Sequence, residues 1–128
     1  MKISVPVSVG ELFDKISILE IKQIKIKDKK SRQIIKYELN SLKSIVKKNK
    51  LMNKRIKKSY ESLKNINTKL WRIEDQKREC ERQGKFDKKF IKLARNVYIF
   101  NDRRAKIKSE IDIISGSKIK EIKSHKDY

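Results

Sequence analysis

Apolar residues recur at spacings of three and four along most of this chain, and the stretches that keep this rhythm predict four helices. In the first, Leu12, Phe13, Ile16, Leu19 and Ile24 share one broad face. Ser8-Val9-Gly10-Glu11 has the spacing of a capping box, which sets the helix at about 9–28. Glu20 falls inside the apolar arc and needs a partner there, and a neighbouring lysine is the expected one. Residues 31–83 hold neither Gly nor Pro, too long a run for one helix without coiled-coil regularity. Asn49-Lys50-Leu51-Met52-Asn53 is the best place for a turn, so helices are predicted at about 30–48 and 54–83, paired as an antiparallel hairpin. The stripe of the third helix is Ile56, Tyr60, Leu63, Ile66, Leu70 and Ile73. Gly84 suits a left-handed helix end and Asp87 the next N-cap, with Phe86 and Ile91 spaced as a hydrophobic staple. The fourth helix, at about 88–114, carries Leu93, Val97, Phe100, Ile107, Ile111 and Ile114, with Arg104 interrupting the seam and Gly116 ending it.

Residues 1–8 alternate imperfectly around Pro6 and predict an extended arm rather than a central strand. The polar residues 117–128 predict an irregular tail. The expectation is one all-α domain over 1–128, an antiparallel four-helix arrangement whose third and fourth helices are the longest pair.

Charge changes the picture more than hydropathy does. The net charge is +20, and residues 31–70 carry half of it. No acid lies between Glu38 and Glu61, a segment that holds Lys47, Lys48, Lys50, Lys54, Arg55, Lys57 and Lys58. A basic helix turn with Leu51 and Met52 at its tip suits phosphates or an anionic bilayer. Lysine (28) far exceeds arginine (8) and isoleucine (20) exceeds leucine (8), as AT-rich coding also produces, so charge alone does not identify a ligand.

Much enzyme chemistry lacks its residues. Cys80 is the only cysteine and His125 the only histidine, and with three glycines no phosphate-binding loop is present. No apolar run approaches the length of a membrane span, and no signal peptide is evident, so a cytoplasmic protein is expected.

Two further clusters could form a pocket. Trp71, Glu74, Asp75 and Arg78 share a face of the third helix. Arg95, Tyr98, Asn101, Asp102 and Arg103 gather on the fourth, and the turn at Gly84 permits the two groups to face each other. Ordinary surface ion pairs give the same spacings. If Glu74, Asp75 and Asp102 converge, they could hold a divalent metal.

The ordered motifs Val5-Pro6-Val7-Ser8-Val9-Gly10-Glu11-Leu12, Asp14-Lys15, Ile18-Leu19-Glu20-Ile21-Lys22, Leu70-Trp71-Arg72-Ile73-Glu74-Asp75, Phe86-Asp87, Leu93-Ala94-Arg95, Val97-Tyr98 and Asn101-Asp102-Arg103-Arg104-Ala105 resemble those of a small bacterial and phage family known only as a domain of unknown function. The resemblance spans nearly the whole chain and carries no activity with it. It implies a setting among surface-polysaccharide genes, and hence a role near sugar or nucleotide-sugar chemistry. The leading expectation is a non-catalytic binding or accessory module for an anionic ligand or surface: a sugar phosphate, a nucleotide, nucleic acid or an anionic membrane. No cofactor is expected. The alternatives are a metal-dependent enzyme acting on a phosphorylated or sugar-nucleotide substrate, and a homodimeric helical scaffold.

Overall fold

The computed structural model describes residues 1–118, so the expected tail lies, beyond Lys118, outside the described residues. Four helices form: α1 (Val9–Lys25), α2 (Lys29–Lys48), α3 (Lys54–Gln83) and α4 (Lys88–Ser115). Among the described residues there is no strand, and none of the helices is long and apolar enough to cross a membrane. Residues 1–7 are an exposed arm.

Each helix starts where a short polar side chain can take an orphan backbone N–H. The Ser8 hydroxyl accepts from the Glu11 amide at 3.0 Å, and the Asn53 carbonyl oxygen from the Ile56 amide at 2.9 Å. Asp87 accepts from the Lys89 and Phe90 amides. Asp28 caps α2 through the Ser31 amide at 2.8 Å, and α1 stops at Lys25, where Ile26 turns extended, rather than near residue 28. Gly84 and Gly116 close α3 and α4 at φ +64° and +66°. Phe86 makes its ring contact edge-on with Phe90, 5.1 Å away, while Ile91 stays exposed, so the expected staple pair is replaced by an aromatic one.

Packing departs from expectation at α2. Among the described residues the backbone of α2 approaches α1 closely and α3 not at all, so the expected α2–α3 hairpin does not form. The five residues from Asn49 to Asn53 let the two helices diverge, and the broad apolar face of α1 serves α2, α3 and α4 together. The main core joins Leu12, Phe13, Ile16 and Leu19 of α1 to Ile35 and Leu39 of α2, Ile56 and Leu63 of α3, and Ile111 of α4. Ile24 has the right angular position but lies in the last turn of α1 and is 61% exposed; Ile21 is buried instead. A second, smaller core of Ile73, Cys80 and Leu93, flanked by Phe90, Val97 and Phe100, belongs to the α3–α4 hairpin alone.

Gly10 fixes how close α1 comes to α4. A Cβ there would sit 2.3 Å from the backbone oxygen of Lys108, and the Gly10 amide donates to Asp112 Oδ1 at 2.7 Å. Only glycine allows an approach this tight without moving backbone.

Candidate functional site

The site region is organised by a buried carboxylate that the apolar pattern conceals. Asp14 lies on the core side of α1, 1% exposed, between Phe13 and Ile16. Arg104 of α4 reaches it with two donors: Nε to Oδ1 at 2.9 Å and a terminal nitrogen to Oδ2. Asn67 of α3 donates to Asp14 Oδ1 at 2.8 Å and to the Ser17 hydroxyl at 2.7 Å. Lys108 adds charge 3.9 Å from Oδ2 and pairs with Glu11 at 2.7 Å. Every buried polar side-chain atom among the described residues has a hydrogen-bond partner. The fork geometry and the added donors are what a buried carboxylate requires. In the apolar pattern Arg104, which breaks the seam, was the one visible sign of this network; Asp14 stood out only within the resembling Asp14-Lys15 motif, and Ser17 and Asn67 carried no signal.

Above this network opens a groove of about 450 Å³. Ile18 and Ile21 of α1 form one wall, and Leu70, Trp71, Glu74, Asp75 and Arg78 of α3 the other, with Asn67 and Arg104 also lining it. Trp71, Glu74, Asp75 and Arg78 are thus brought together as their helical spacing predicts. The members of the α4 cluster do not line this groove. Arg95 borders a separate shallow depression of about 250 Å³ with Ile91 and Asn96. Asn101 accepts from Arg104 at 3.3 Å, and Arg103 lies over the Phe100 ring at 5.1 Å. Asp102 is half-buried and Tyr98 exposed. Glu74 pairs with Lys77 at 3.5 Å, and no three His, Cys, Asp or Glu side chains among the described residues are grouped to hold a metal ion. The convergence of Glu74, Asp75 and Asp102 that a metal site needed is therefore not formed.

The basic end is built differently. Where α2 meets α3, a second groove of about 540 Å³ has Phe13 and Ile16 at its base, with Val46 and Tyr60 beside them. Exposed Lys43, Lys47 and Lys50 line it together with Met52, which is 48% exposed. At its inner side Glu20 accepts a hydrogen bond from the Tyr60 hydroxyl and pairs with Lys64 at 3.2 Å, so its lysine partner comes with a tyrosine that the sequence did not reveal. Burial pushes the Glu20 carboxyl up, but the bonds from Tyr60 and Lys64 and the charges of Lys64 and Lys43 outweigh it, leaving Glu20 below the usual glutamate range. Burial, then the hydrogen bond to Glu20, pushes the Tyr60 phenol far up, so it stays a neutral donor. Lys47, Lys48, Lys50, Lys54, Arg55, Lys57 and Lys58 are all exposed, and none forms an ion pair among the described residues.

Fold and charge together define a basic all-α protein with a mixed-charge groove over a buried ion pair and a cationic groove at one end. A family profile described as "Family of unknown function (DUF6165)" matches residues 1–127, and the chain belongs to that family. No curated protein and no solved structure matches it.

Proposed function

We propose that the protein is a non-catalytic binding module that engages an anionic partner through the end where α2 meets α3. One observation carries this reading: seven cations, from Lys47 to Lys58, stand exposed with no carboxylate partner among the described residues. Like charges held within about 10 Å of one another raise the local potential and oppose folding, and an anionic partner relieves both. The Trp71 groove offers less to such a partner, because Glu74 and Asp75 there offset Arg78 and Arg104.

The test reverses charge at Lys47, Lys48, Arg55 and Lys58 together, all on exposed positions. Retention on heparin and binding of a fluorescent single-stranded oligonucleotide are read at two salt concentrations. Binding by the unaltered protein that fades with salt, and falls on the order of a hundredfold in the variant, supports the reading. Unchanged binding in a variant that still folds rejects it.

A further inference from the structure

A purely electrostatic patch has no use for an apolar cavity, yet the lysines of the basic end surround one. We propose that this end docks on an anionic bilayer, with Lys43, Lys47 and Lys50 on lipid phosphates and the groove beside Met52 receiving acyl-chain methylenes. The inference rests on the anionic-partner reading and names the partner. Its first support is charge complementarity: three lysines against one acid, Glu20, which Tyr60 and Lys64 hold at the inner side, around a floor that is apolar at Phe13, Ile16 and Val46, the pairing of surfaces that an anionic amphiphile presents. Its second is Met52, a flexible thioether left 48% exposed at the groove, suited to an irregular apolar partner.

Nucleic acid fits less well. Tyr60, half-buried at this end, has its ring 5.8 Å from that of Phe13, itself buried, and its hydroxyl on Glu20, so neither ring is a platform for stacking a base. Lys50 adds an observation of another kind. It occupies φ +51° at the end of α2, a left-handed position that glycine takes at lower cost. The chain keeps a charged side chain at the groove despite that strain, as functional positions do.

The experiment is flotation of the full chain with vesicles of phosphatidylcholine, with and without phosphatidylglycerol, beside heparin retention. The protein should float only with the anionic vesicles. Met52→Ser should lower vesicle partition roughly tenfold, from lost apolar burial, and leave heparin retention unchanged. Lys50→Gly should weaken partition about fivefold without lowering the thermal midpoint, because it removes a charge and relieves strain together. Heparin retention without flotation, or flotation indifferent to Met52→Ser, overturns the bilayer assignment and leaves the anionic-partner reading standing. Absence of both heparin and vesicle binding overturns the two together.

Discussion

Asp14 lies in the core beside Phe13, and it is tolerated there because side chains from α3 and α4 converge on it. A buried charge stripped of its partner is far costlier than the intact pair is favourable. Arg104→Met should therefore lower unfolding free energy by about 3 kcal/mol in urea titrations, while adding Asp14→Leu to the same chain should recover most of the loss. Failure of the second change to compensate would mean that Asp14 is not the reason for the first effect. Glu20 gives a pH signature. Its folded-state pKa is lowered, so its contribution is complete at neutral pH, above its unfolded value, and is lost as acid takes the pH down through the folded value. Tyr60→Phe removes the largest of the contributions that lower it, so the acid-side loss of stability should become smaller, as urea midpoints across mildly acidic pH would report. Arg104 was legible as an anomaly in the seam, whereas Asp14 and Asn67 were not. A polar residue inside an apolar arc has the same spacing whether a neighbour satisfies it or solvent does.

α3 is one continuous helix with two environments. Its first half packs Ile56 and Leu63 into the main core against α1, and its second half rests Ile73 and Cys80 on α4 alone. Local opening follows the number of buried partners rather than the continuity of the helix. Native-state amide exchange should accordingly be slower around Ile56–Asn67 than around Ile73–Arg82, with the pairing half of α4 near Leu93 following the faster group. Equal protection along α3 would contradict this division. The stripe from Ile56 to Ile73 was readable because helical period alone decides which face turns inward. The partner of that face was not, which is why α2 was expected on α3 and lies on α1. Periodicity carries a direction around one axis and nothing about which other axis lies there.

Across the whole molecule, charge and shape were legible to different degrees. The acid-free run from Lys43 to Lys58 marks the basic end in the linear chain, and caps at both helix ends keep those residues on one exposed junction. The shared face of Trp71, Glu74, Asp75 and Arg78 also follows from helical spacing. Their groove does not, since Ile18 and Ile21 close it from a helix some fifty residues away and Arg104 reaches it from a third. The apolar cavity under Lys43, Lys47 and Lys50 likewise exists only because Phe13 and Ile16 arrive from α1. Local rules, namely capping chemistry, glycine at left-handed ends and the 3.6-residue period, act over a few neighbouring residues, so the chain's own order specified four helices, most of their boundaries and the position of the excess charge. Pairing of helices, burial of Asp14 and the making of both grooves depend on contacts between residues distant in the chain, and those were decided only when close packing selected one set of neighbours.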